Sequence, residues 1–211
     1  QDAKRWDPGN VASWISIADL DDLPRVQAAW LAEKLKPIVG QCLGVGMDNH
    51  DEAIRKHHSM DVHQIMLGLL NGFLPAKAER IRSIGYSGFH LLRFHRKSDT
   101  AHTSTLTCYL HHGYFGGRLK GAKALGLERV FAYYDCDVFF TGHNHDRLAF
   151  KSVSMRPYAG PHGPAYKSHT RAGVNCGTFL RTLSQPGDAP TYSEVKGYFP
   201  TELGAIPVTF Q

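Results

Sequence analysis

The chain reads as an α/β protein, and three observations lead there. Short apolar runs of strand length, at 41–46, 88–95, 103–110 and 136–141, alternate with longer segments whose apolar residues recur at helical spacing. Several of these runs hand the chain to a polar, histidine-bearing cluster, which is where open α/β sheets keep their ligands. The third observation is size: 211 residues, 42% hydrophobic and 20% charged, suffice for one well-filled core. Nothing resembles an interdomain linker, so residues 1–211 read as a single domain.

Residues 1–18 open as a loop at Asp7-Pro8-Gly9-Asn10 and turn mildly apolar through Val11, Trp14, Ile15 and Ile17. A helix follows over 23–35, with Asp22 as N-cap, Pro24 in its first turn, Val26, Ala29, Trp30 and Leu35 on its apolar side, and Pro37 and Gly40 beyond. The buried strand 41–46 delivers the chain to Met47-Asp48-Asn49-His50-Asp51-Glu52. From Asp61 a second helix places Val62, Ile65, Met66, Leu69 and Leu70 on one stripe and stops at Gly72; that stripe is core. Strands 88–95 and 103–110 come next, the latter alternating Leu106, Cys108 and Leu110 with threonines and ending at His111-His112-Gly113. A glycine-rich basic turn, Gly116-Gly117-Arg118-Leu119-Lys120-Gly121-Ala122-Lys123, opens a helix that runs to Tyr134, and strand 136–141 follows. The remainder, rich in glycine, proline and tyrosine, holds strand-like pieces at 172–179, 191–198 and 206–210.

The chemistry concentrates in Phe139-Phe140-Thr141-Gly142-His143-Asn144-His145-Asp146, an apolar run that stops at a glycine and presents two histidines two apart. On an extended backbone alternate side chains share a face, so His143 and His145 would reach a common centre. Two further strand ends carry similar groups, Asn49-His50 and His112-Gly113. Imidazole nitrogens, an amide oxygen and carboxylates suit divalent transition ions such as manganese, iron or zinc better than calcium or magnesium. His111, next to His112, faces the other way on a strand and reads as structural. Arg118 and Lys120, with Lys123, could hold a substrate phosphate at a helix amino end, or could be a solvated basic face.

In their chain order, Asn49-His50, His112-Gly113 and Gly142-His143-Asn144-His145 resemble the calcineurin-like metallophosphoesterase superfamily. The likeness is greatest to compact bacteriophage and bacterial members. Their Tyr-Ser-Gly-Phe, His-His-Gly and Gly-Gly-Arg-x-Lys-Gly-Ala-Lys segments are matched at 86–89, 111–113 and 116–123, and the likeness runs from Asp2 through nearly the whole chain. The resemblance implies a sandwich of two mixed β-sheets flanked by helices and a centre of two divalent ions, manganese first and iron or zinc as alternatives. It assigns Asn49, His112 and His143 to one ion, His145 to the other, and to His50 the protonation of the leaving oxygen. The implied activity is hydrolysis of a phosphate mono- or diester, in the cytoplasm of a bacterial or phage-infected cell.

Two family motifs are missing. There is no Asp-x-His at a first strand, and Gly-Asp-x-x-Asp, the source of the bridging carboxylate, has no clean match. Asp19-Leu20-Asp21-Asp22 has the spacing, whereas Asp2, Arg5, Trp6 and Asp7 look like the segment that follows that motif. The expectation is therefore an N-terminally truncated chain whose paired centre is incomplete and whose hydrolysis is impaired. Asp48 stands where the family usually has glycine, which an aspartate in a left-handed turn would allow.

Composition bounds the rest. No apolar run approaches membrane-spanning length, so no membrane partner is expected. Cys42, Cys108, Cys136 and Cys176 form no Cys-x-x-Cys pair and read as buried thiols. A net charge of +5 and a pI near 9.0 tilt the substrate toward nucleic acid. The rival reading is a noncatalytic nucleic-acid-binding or structural protein that keeps the fold.

Overall fold

The structure, a computed structural model, describes residues 14–113, 117–187 and 189–209, with 99–101 described by backbone alone. Asp2, Arg5, Trp6, Asp7, Gly116 and Phe210 lie outside the described residues. The chain divides into two compact units, one up to Tyr86 and one from Ser87 onward. Both mix helix and strand, so the α/β class holds at that level.

In the first unit a 3-10 helix, Ile17–Asp22, leads into α1, Leu23–Leu35. Asp19 closes a capping box there, accepting the Ser16 amide and hydroxyl at 2.8 and 2.7 Å. These bonds hold its carboxyl below the usual carboxylate range. The residues offered as a bridging motif thus form a capping turn. Helix α1 has the expected bounds, but it buries Leu23, Ala28 and Ala32 while Trp30 lies half-exposed, stacked on Trp14 at 4.9 Å. Its small residues join Val39, Met66, Leu67, Leu70 and Ile81 in one core.

From Lys36 the backbone winds as a 3-10 helix, Lys36–Gln41, with Pro37 in its first turn, and the expected strand is shortened to β1, Gly44–Gly46. A helix that the sequence did not announce follows, α2, Asn49–His58. Ile54 is its one buried residue, too little apolar character to register as a period. Helix α3, Val62–Gly72, starts at Asp61, whose carboxylate accepts the Gln64 amide at 2.9 Å. Strand β2, Arg82–Gly85, pairs in parallel with β1. Asn71 fixes the approach to β2 by bonding the Ile81 carbonyl and amide at 3.0 and 2.9 Å.

The second unit is built on a mixed sheet in the order β3-β4-β5-β7-β6, with β8 on β7. Strands β3, Ser87–Arg96, and β4, Asp99–His111, form one antiparallel hairpin. Strands β6, Arg147–Gly160, and β7, Gly163–Thr178, form the other. The short β5, Val138–Thr141, runs between them parallel to both β4 and β7. Helix α4, Lys120–Val130, buries Leu127 and Val130 against Tyr109, Phe131 and Phe139. On the opposite face Cys108, Val138 and Val174 form a second cluster, joined by Ile206 and Val208.

Two expected strands are not found among the described residues. Residues 191–198 contain α5, Tyr192–Val195, because Thr191 and Glu194 close a capping box. Near 206–210 the described strand is β8, Gly204–Ala205. No helix among the described residues is long and apolar enough to cross a membrane.

Candidate metal centre

Parallel pairing sets His111 of β4 opposite Thr141 of β5, so the chain leaves both strands at the same edge. His112-Gly113 follows β4 and residues 142–146 follow β5. The Gly142 amide donates to the His112 carbonyl at 3.0 Å and ties the two exits together. Gly113 permits the close approach. A Cβ there would meet Thr141 Oγ1 at 2.7 Å, the Gly142 carbonyl at 2.8 Å and His143 Cβ at 2.9 Å, and its φ of +107° is itself a glycine conformation.

The tie brings His112 Nε2 within 3.0 Å of His143 Nδ1, with the rings edge to face. In a neutral pair one N–H donates to the other lone pair. The same separation is the chord that two bonds of about 2.1 Å, the usual imidazole-to-zinc length, subtend at a right angle. A chord of this length matches positions a right angle apart on one ion and is shorter than the roughly 3.4 Å of two such bonds in a tetrahedral zinc site. Among the described residues no three His, Cys, Asp or Glu side chains form a group that could hold a metal ion.

The route to this geometry differs from the expected one. Strand β5 ends at Thr141, and His143 and His145 adopt left-handed backbone, φ 62° and 48°, in the turn beyond it. Extended alternation is not what orients them. The only other described non-glycine residue with positive φ is Ser59, the C-cap of α2. A left-handed side-chain residue costs on the order of 1 kcal/mol or more, and such strain gathers where function needs it. The His145 side chain is exposed.

Neighbouring groups hold this turn. Asp146 is buried; Oδ2 accepts from Lys123 Nζ at 3.1 Å and Oδ1 from the Arg147 amide at 2.9 Å. Lys123, also buried, thereby joins the start of α4 to the residue after His145. Lys120 lies 3.7 Å from Asp146 with its own side chain mostly in solvent. Arg118 reaches the Lys196 carbonyl at 3.4 Å and lies 5.9 Å from the Tyr198 ring. His111 accepts the Gly113 amide on Nδ1 at 2.8 Å, and burial pushes its pKa down, which keeps it neutral beneath the turn.

The Lys123–Asp146 pair and the polar rung of Thr141 and Asn175 went unanticipated. Thr141 and Asn175 face each other across β5 and β7, fully buried. Their signal is an Asn inside the apolar run Val174-Asn175-Cys176, and a basic residue three positions into α4.

In the first unit, Asn49 and His50 open α2 directly beyond β1, at the strand end where they were expected. Asp48 accepts the His50 and Asp51 amides at 2.8 and 2.7 Å and is extended, φ −122°, rather than left-handed. It serves as the N-cap of α2. Burial, then the neighbouring Asp48, raises the pKa of Asp51. His63, buried beside it, bonds Ser83 Oγ through Nε2 at 2.7 Å.

Comparison of the chain with protein-family models, with curated proteins and with solved structures gives no match.

Proposed function

We propose that the protein is a metal-dependent phosphoesterase of the two-sheet, helix-flanked metallophosphoesterase type, acting on a phosphate mono- or diester. The observation that carries this reading is the His112–His143 pair, two imidazole nitrogens 3.0 Å apart at the carboxyl ends of adjacent parallel strands. His112 and His143 hold one divalent ion, manganese, iron or zinc, and His145 serves a second. The family resemblance adds Asn49 as a ligand and His50 as donor of a proton to the leaving oxygen.

Such ions, when bound, neutralise the phosphate and provide a nucleophilic hydroxide near neutral pH. The chain's own groups do the rest. Gly113 and Gly142 close the two strand exits on each other, His111 supports the turn in neutral form, and Lys123 with Asp146 fixes the residue after His145. Arg118 and Lys120, exposed where α4 begins, are the cations nearest in sequence to His112 that can meet a phosphate oxygen.

The test is release of p-nitrophenol from bis-p-nitrophenyl phosphate by this chain with added manganese. Slow, metal-dependent turnover is expected, falling by at least about 100-fold in His143→Ala, since even groups behind a ligand contribute 10–100-fold. Equal rates in the variant, or none with manganese, iron or zinc, would overturn the proposal.

A further inference from the structure

The basic excess of the chain is confined to one part of the fold. The two hairpin segments, 87–111 and 147–178, contain eight Lys and Arg and one acidic residue, Asp99. Of the chain's 24 Lys and Arg and 19 Asp and Glu, sixteen and eighteen are left elsewhere. The hairpins thus account for more than the whole net charge of +5. Segment 147–178 has no acidic residue at all.

Topology then places this charge. Cys108, Val138 and Ala172 share a rung where β5 begins. Beyond it β4 extends back to Asp99 and β7 back to Gly163, nine residues each, or about 30 Å of strand. Both therefore leave the end of the sheet opposite His112 and His143 as two-stranded ribbons. Among the described residues no strand lies between them, so they start about two strand spacings, roughly 10 Å, apart.

Register puts Tyr109, Phe139, Gly173 and Phe150 on one rung and one face. Followed outward, that face carries Arg93 and His95 on one ribbon and Arg156, Tyr158, Lys167 and His169 on the other. Arg156 pairs with Asp135, and His169 with Asp137 at 2.5 Å. Arg93 and Lys167 are exposed and have no acid partner among the described side chains, as is also true of Arg96 and Lys97 at the first tip. Exposed rings accompany the cations, Tyr158 on the same face and Phe94 and Tyr166 on the reverse.

We infer that the two ribbons form a fork that grips a single-stranded nucleic acid. Arg93 and Lys167 meet its phosphates from either side and Tyr158 offers a stacking surface. A basic surface that tracks the backbone, with aromatic rings among its cations, is how sequence-independent strand binding is built. The inference supplies the partner class for the proposed function and rests on that reading only for what happens after binding.

The test is fluorescence anisotropy of a labelled 20-nucleotide thymidine strand with the full chain in EDTA, across a salt series. Arg93→Glu with Lys167→Glu should weaken binding at least about tenfold and flatten the log–log salt slope by about 1.4, near 0.7 for each phosphate no longer neutralised. Lys56→Glu with Lys77→Glu, an equal charge change on exposed residues of the first unit, should stay within about twofold. Arg93→Gln with Lys167→Gln repeats the test without reversed charge, should the first pair impair folding. No binding by the parent chain, parent-like binding by both ribbon pairs, or an equal loss in the control would overturn the inference. Ribbon-dependent binding without hydrolysis would sink the phosphoesterase reading alone, and hydrolysis with ribbon-independent binding would sink the fork alone.

Discussion

Gly113 is the residue on which the approach of His112 to His143 most depends. A methyl group there meets three atoms below 3.0 Å, two of them on the Gly142-His143 turn, and its φ of +107° strains any side chain. Gly113→Ala should cost on the order of 2–3 kcal/mol of stability in urea denaturation and should abolish any manganese-induced rise in melting temperature. A variant as stable as the parent would show that the strand exits are not locked. Acid stability has its own residue. Glu194 accepts the Thr191 amide at 2.6 Å and the Ser184 hydroxyl at 2.9 Å, and these bonds pull its pKa down to about 2. Their contribution is complete above the ordinary glutamate pKa and disappears as pH falls toward 2. The melting-temperature gap between the parent and Glu194→Gln should therefore be constant near neutrality and close between about pH 4.5 and 2. Burial holds Cys108 and Cys136 as thiols with pKa values of about 11, so brief iodoacetamide treatment of the native chain should label Cys42 well before either. At this scale the sequence located the histidines beyond the strand ends but not their backbone. A His-x-His pair looks the same whether it is extended or, as at φ 62° and 48°, left-handed.

Helix α4 and the turn after β5 are joined by one buried ion pair, Lys123 with Asp146. Asp146→Ala strands a buried ammonium and should cost about 3–5 kcal/mol. Lys123→Met with Asp146→Leu should recover much of that loss, because an apolar pair leaves no charge uncompensated. A double mutant as unstable as the sum of the singles, measured by urea denaturation, would show that the pair does not couple. Helix α3, with a strong apolar stripe, begins at its anticipated cap, and β3, β4 and β5 fall where expected to within a few residues; α1 was legible from its cap and prolines, although its buried face is not the expected one. Helix α2 was hidden because it buries only Ile54, and α5 because its capping box lies among residues of high strand propensity, Thr191, Tyr192, Val195 and Tyr198. The long β6 was missed because prolines and glycines near the tip at 157–164 read as loop.

For the whole molecule the sequence specified an α/β chain with histidines at strand ends, and the mixed sheet places two of those ends edge to edge. The distribution of charge could not be seen without pairing. A uniform net charge of +5 and one gathered on two ribbons have the same composition, and only register assigns Arg93 and Lys167 to one face. The central claim, that His112 and His143 jointly bind a transition ion, is tested most directly by titrating manganese into the metal-free chain and following the electron paramagnetic resonance of free ion. The tightest saturable site of the parent should vanish in His112→Ala and in His143→Ala alike. A site that survives both substitutions, or a parent chain that binds no manganese, would contradict it.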